Sequence, residues 1–158
     1  MGPMTNKWLG RILVIAQFAL LIALVAFPQG ELWIVDKALG GIAAAIIVLG
    51  LIISLSGIMG LGTSLTATPV PKEKAELKTA GIYALVRHPI YSGLLVMGIG
   101  VVLGGGSLWK IVLFLALLGL FEYKARFEEK LLLAAYSGYA EYAQKTGRFV
   151  PFVGKLKP

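Results

Sequence analysis

Apolar residues along this chain do not alternate with polar ones; they run in blocks. The blocks fall at about 9–27, 38–59, 92–104 and 107–124. A bilayer core about 30 Å thick requires roughly 20 apolar residues per helix, and the first two blocks reach that length. Arg11 lies near the start of the first and is expected to snorkel to the interface. No small-x-small site follows Phe27, so this block reads as a retained span rather than a leader. Pro28 and Gly30 stop it. The connector carries Glu31, Trp33 and Asp36, with Trp33 suited to an interfacial belt. Gly40, Gly41, Ala43, Ala44, Ala45 and Gly50 let the second span pack closely against a neighbouring helix or, in a homodimer, a second copy.

The third block is short. Ser92 to Leu103 reaches only ~18 Å at the rise of an α-helix. Gly104-Gly105-Gly106-Ser107 makes a turn. The chain returns from Leu108, and the helix is expected to continue through Glu122 to Leu133. This is a helical hairpin, tilted or partly crossing. It becomes two full spans if the Tyr83 to Tyr91 region extends its first arm, with Pro89 near the helix start, where a missing N–H costs little. Between the second span and the hairpin lies one polar stretch, Thr66 to Arg87, broken by Pro69 and Pro71. The expected fold is all-α. It is a polytopic membrane helical bundle of two transmembrane helices, a membrane helical hairpin and a cytoplasmic C-terminal amphipathic helix, in one domain over 1–158.

Composition agrees with lipid as the main solvent. The chain is 58% hydrophobic and only 15% charged, against about a quarter charged in soluble domains. It has no cysteine and one histidine. That excludes disulfides and thiolate sites and argues against a metal centre. The net charge of +7 sits on residues flanking the apolar blocks. That distribution fits anionic headgroups and topology control rather than nucleic acid. With the N-terminus in the cytoplasm, nearly all basic residues lie inside, and only Lys37 and Lys110 fall outside. The protein is expected in the inner, cytoplasmic membrane.

A hairpin returns the chain to the face it left. Arg87, His88 and Tyr91 should therefore share a membrane side with Glu128 and Glu129. Carboxylates there can accept hydrogen bonds from an amine or ribose hydroxyls, and aromatic rings attract a sulfonium cation. Blander readings stand beside this one. Arg87 and His88 also suit a topology anchor. Glu128 can pair with Lys124 at i,i+4. Gly98 and Gly100 also suit plain helix packing.

Gly81-Ile82-Tyr83, Arg87-His88-Pro89-Ile90-Tyr91-Ser92-Gly93, Glu128-Glu129 and the closing Tyr139, Tyr142 and Arg148-Phe149-Val150-Pro151 together resemble the isoprenylcysteine carboxyl methyltransferase and phospholipid methyltransferase superfamily. The resemblance implies a membrane-embedded, S-adenosylmethionine-dependent methyltransferase with its cofactor-binding half at about 66–151 and its active site facing the cytoplasm. It implies cofactor contacts from Glu76, Leu77, Lys78, Tyr83, His88, Pro89, Ile90, Tyr91, Gly98, Gly100, Glu128 and Glu129. Arg87, His88 and Glu128 would be catalytic. Lys124, with Arg126 close by, would orient an acceptor carboxylate. Lysine there offers a point charge in place of a bidentate fork, and Tyr136-Ser137-Gly138-Tyr139 compresses the family's pattern. The acceptor would be a lipophilic molecule or a lipid-modified carboxylate, amine or thiol reached from the membrane lipid. Phospholipid N-methylation, a sterol-reductase-like enzyme using NADPH and a non-enzymatic membrane scaffold are the rival readings.

Overall fold

The computed structural model describes residues 3–64 and 77–157. Its first helix, α1 (Pro3–Ala26), ends ahead of Pro28. Asp36 caps α2 (Lys37–Leu61), its carboxylate accepting from the Leu39 N–H at 2.8 Å. Asp at this position satisfies one of the orphan donors of a helix start. Pro89 opens α3 (Pro89–Gly105), where its fixed φ suits the first turn. Gly106 ends that helix in the left-handed region at φ 55°, a conformation glycine adopts without steric cost. After Ser107 comes α4 (Leu108–Ala135), and then the short α5 (Tyr139–Lys145).

The described residues contain helices and a single isolated β-bridge. The hairpin expected from 92–104 and 107–124 is present with longer arms. Its first arm gains Pro89-Ile90-Tyr91 and spans about 25 Å. Its second arm, 28 residues, is about 42 Å long, more than the hydrocarbon core. The surplus turns carry Glu122, Glu128 and Glu129 beyond the apolar part of the bundle. Of the Tyr83 to Tyr91 region only Pro89-Ile90-Tyr91 joins the arm, and Tyr83 and Ala84 belong to a separate 3-10 turn, Gly81–Ala84.

Two helices, Lys7–Ala26 and Lys37–Leu61, are long and apolar enough to cross a membrane, with only 22% of each apolar stretch buried inside the protein. The outward faces are Ile12, Ile15, Phe18 and Ile22 on α1 and Val48, Leu49, Ile52 and Leu55 on α2. Such continuous apolar stripes belong in lipid, so this is an integral membrane protein. The buried core, Leu24, Leu95, Leu117 and Phe121, lies where α1, α3 and α4 meet. At the turn end, Gly30 and Leu32 donate their N–H groups to the carbonyls of Gly105 and Gly106, and the Trp33 indole donates to the Leu103 carbonyl at 2.8 Å. Lys110 caps the end of α1, its ammonium donating to the Leu24 carbonyl at 2.9 Å.

The most extensive helix contact is α2 with α3, and glycines make it possible. A Cβ on Gly93 would lie 2.5 Å from the Gly50 carbonyl oxygen and from the Ser54 nitrogen. Both obstacles are backbone, so neither can swing aside. Gly93→Ala is expected to destabilise the bundle by at least the ~1–3 kcal/mol of core overpacking. Thermal unfolding in detergent checks this, with Gly40→Ala as the control because nothing lies within 4 Å of that position.

Candidate active site

The chain entering α3 is fixed before it becomes helical. Tyr83 donates its hydroxyl to the Gly57 carbonyl of α2 at 3.1 Å, and its own carbonyl accepts from the Tyr142 hydroxyl. Burial pushes both phenols up, Tyr142 to about 12 against the opposing influence of Arg87. Both therefore remain donors at neutral pH. Val86, Arg87 and His88 then pair with the tail that follows α5. Arg87 N–H donates to the Gly147 carbonyl at 2.8 Å and His88 N–H to the Arg148 carbonyl at 3.1 Å. Two distant pieces of backbone are thus locked side by side under the end of α4.

Glu129 projects from α4 into this junction and is 4% exposed. Its Oε1 accepts from Arg87 Nη2 at 2.7 Å and Arg148 Nε at 3.0 Å, and lies 3.2 Å from His88 Nε2. Its Oε2 accepts from Arg148 Nη2 at 2.8 Å. Arg148 also reaches Glu122 on α4. Arg87 donates further to the carbonyls of Ala143, Thr146 and Gly154. All five of its N–H bonds are engaged by protein atoms, so it holds α4, α5 and the tail together.

Burial alone would raise the Glu129 carboxyl. Hydrogen bonds from His88, Arg148 and Arg87 outweigh it and hold the group at about 2. A carboxyl depressed in the folded state contributes stability that is present above its unfolded value, about 4.5, and is lost as pH falls toward 2. The melting temperature should therefore decline between pH 4.5 and 2. Glu129→Gln should flatten that limb, and an unchanged limb in a melting series would refute the assignment.

Glu128 is different: its side chain is 27% exposed. Its Oε2 accepts from the Tyr91 hydroxyl at 2.9 Å and lies 3.7 Å from His88 Nδ1. Among the described residues its Oε1 takes no hydrogen bond. His88 stacks on Tyr91, and Tyr91 on Phe121, at 5.3 and 5.0 Å between ring centroids. Phe149 of the tail meets both His88 and Tyr91 edge-on. Lys124, one turn before Glu128, donates to Gln17 of α1 at 2.5 Å and lies over the Tyr91 ring.

His88, Tyr91, Glu128 and Glu129 thus come together, with Arg87 behind them and Lys124 beside them. Pro89 and Ile90 sit against Gly57. Leu77 and Lys78 lead half-buried into the 81–84 turn. Glu76 lies outside the described residues. Gly98 and Gly100 stand about 15 Å further along α3, where Gly98 faces Phe114 and Gly100 faces Ala43 and Ile47. Their lack of a side chain serves helix packing. Arg126 points away from Lys124 and pairs with Glu122 on the exposed face. Sequence reasoning did not assign Arg148 or Gln17 to the site. The signal for Gln17 was a single amide in an apolar run. Arg148 had none beyond its place in the closing motif.

The chain is similar to known proteins over most of its length. Residues 38–138 match the phospholipid methyltransferase family. A protein of Oryza sativa subsp. japonica named as a probable protein-S-isoprenylcysteine O-methyltransferase is 30% identical over 132 residues, 80% of this chain and 67% of that one. Protein-S-isoprenylcysteine O-methyltransferase B of Arabidopsis thaliana is 29% identical over 154 residues, 94% of this chain and 76% of that one. The fold is similar to that of a solved eukaryotic intramembrane Ras methyltransferase, isoprenylcysteine carboxyl methyltransferase, with a TM-score of 0.68 at 22% identity. The match takes in 99% of this chain and 56% of that one. Its lipid-exposed bundle and these matches put the chain among the integral membrane methyltransferases. The chain belongs to the phospholipid methyltransferase family, within the superfamily that also holds the isoprenylcysteine carboxyl methyltransferases.

Proposed function

We propose that this protein moves a methyl group from S-adenosylmethionine to a lipophilic acceptor and is most like an isoprenylcysteine carboxyl methyltransferase. The observation that carries the reading is the meeting of His88 and Tyr91 with Glu128 and Glu129 across the hairpin. In this reading the chain is one multi-pass domain. The positive residues hold this end of the bundle in the cytoplasm, where a nucleoside cofactor is available.

The residues present fit that cofactor. Glu128 keeps a carboxylate oxygen open for an amine or ribose hydroxyl. The His88–Tyr91–Phe121 column offers aromatic faces to a cation. The buried Tyr139 hydroxyl has no hydrogen-bond partner among the described residues, and burial together with Glu129 pushes it up. It is a donor awaiting an acceptor. His88, Pro89, Ile90, Tyr91 and Glu128 would hold the group, with Tyr83, Leu77 and Lys78 on the approach. When bound, it supplies an electrophilic methyl on a sulfonium.

The chain's own task is positioning and exclusion of water. Arg87 and Arg148 fix Glu129, and Glu129 fixes the His88 ring. Arg87, with every donor engaged, acts as a positioning residue. Phe149, Phe121 and Tyr91 shield the centre. Lys124 orients an acidic acceptor, and a carboxylate needs no general base because it is already ionised. Calorimetry with S-adenosylhomocysteine on detergent-purified protein tests the reading, followed by labelled-methyl transfer to total membrane lipids. Binding and a labelled lipophilic product are expected. Absence of binding overturns the reading.

A further inference from the structure

The tail after α5 is fastened at two points and left bare between them. Phe149 lies against His88 and Tyr91, and its carbonyl accepts from the Ser92 hydroxyl at 2.7 Å. Further on, the Gly154 carbonyl accepts from Arg87 Nη2 at 2.9 Å. Between these anchors Val150-Pro151-Phe152-Val153 closes a tight turn, the Val153 N–H donating to the Val150 carbonyl at 3.1 Å. Proline suits the second position of such a turn, and a positive φ at the third belongs to its type II form. Among the described residues Phe152 is the one non-glycine with a positive φ, 68°. That position favours glycine, and a bulky side chain there is strained.

Nothing inside the protein repays the strain. Phe152 is 79% exposed, and Val150 and Val153 are 56% and 63% exposed. An apolar knuckle of these side chains therefore stands off the molecule, and its flank is basic. The Lys155 ammonium lies 5.2 Å from the centroid of the Phe152 ring. Lys157 follows, and neither lysine makes an ion pair among the described residues. Lys145, by contrast, is held by Glu141.

The knuckle sits at headgroup depth. The apolar part of α4 ends at Phe121, and Arg148 ties the tail to Glu122 and Glu129 just beyond it. An aromatic ring beside lysines at that level has the composition of an interfacial anchor. Each lysine close to an anionic leaflet favours contact about fivefold.

We infer that Val150, Phe152 and Val153, with Lys155 and Lys157, form a docking surface for anionic phospholipid headgroups. Docked, the knuckle braces the segment that carries Arg148 and Phe149 into the site. The inference goes beyond methyl transfer and does not depend on it.

The chain has no cysteine, so Val153→Cys takes a single fluorescent label beside an intact Phe152. The labelled full chain is reconstituted into nanodiscs of phosphatidylcholine, alone or mixed with phosphatidylglycerol, each holding a doxyl-labelled lipid as quencher. Quenching should be about twofold stronger or more in the mixed discs. Salt at about 1 M, where the Debye length is about 3 Å, should abolish the difference. Adding Phe152→Gly relieves the turn, so melting in detergent should match or exceed that of the parent, while quenching falls. Lys155→Gln combined with Lys157→Gln should lower quenching in the mixed discs to the neutral-disc value. The inference is overturned by a label unquenched in both discs, quenched equally in both, or indifferent to Phe152→Gly. A Phe152→Gly protein that melts well below the parent also overturns it, because the ring would then be packed within the protein.

Discussion

Replacing Glu128 by alanine is expected to weaken S-adenosylhomocysteine binding by about 10- to 100-fold. A hydrogen bond to a charged group is worth about 1.5–3 kcal/mol, and Glu128 offers one from an oxygen that no donor among the described residues holds. The loss extends to Tyr91, whose hydroxyl donates to the same carboxylate. Without it the phenol has no partner in the aromatic column. Glu128→Gln should lie between wild type and alanine, because an amide oxygen still accepts while the charge is gone. Tyr91→Phe should weaken binding less than either, since it leaves the carboxylate in place. Calorimetry on the three variants gives the ranking. An affinity unchanged by Glu128→Ala would remove Glu128 from the cofactor site.

Arg87→Ala should be the most destabilising single change in this half of the protein. It leaves Glu129 with a diminished set of donors. It also strips partners from the carbonyls of Ala143, Thr146 and Gly154. Breaking a buried ion pair by removing one member costs about 3–5 kcal/mol, a large share of the usual 5–15 kcal/mol of a folded domain. A melting temperature lower by on the order of 10 °C is expected, with faster proteolysis between residues 139 and 157. Arg87→Lys should not rescue it. Three donors on a flexible stem cannot replace five in a planar fork aimed at four separate groups. Thermal unfolding and limited proteolysis in detergent measure both effects. A melting point within about a degree of the wild type would show that α5 and the tail are held by something else.

Much of this architecture could be read from the chain. The first two helices were visible because lipid demands length and apolarity, and Leu9 to Phe27 and Ala38 to Met59 supply both. The hairpin was visible because Gly104 to Ser107 can only turn between apolar arms. The arm lengths were less visible. Pro89-Ile90-Tyr91 reads as the polar edge of a block, yet proline at the first helical position starts the helix there. That His88 and Glu128 share one end follows from the hairpin alone. Their exact partners do not. Glu129, rather than Glu128, takes the arginines, because α4 turns about 100° between them, and only Glu129 faces the junction of residues 86–88 with 147–148. The tail was the least legible part. Thr146 to Gly154 has neither helical nor alternating periodicity, so nothing local in it foretells that its carbonyls surround Arg87. Gln17 was hidden for the opposite reason: one polar residue in a strongly apolar run barely changes a pattern.

The frame around Arg87 is drawn from residues 143–154, which a ribosome makes only after all four long helices. The acceptors around Arg87 therefore come from sequence made after the helices they join. Arg87 gains its full set of acceptors only once the segment beyond α4 has been made.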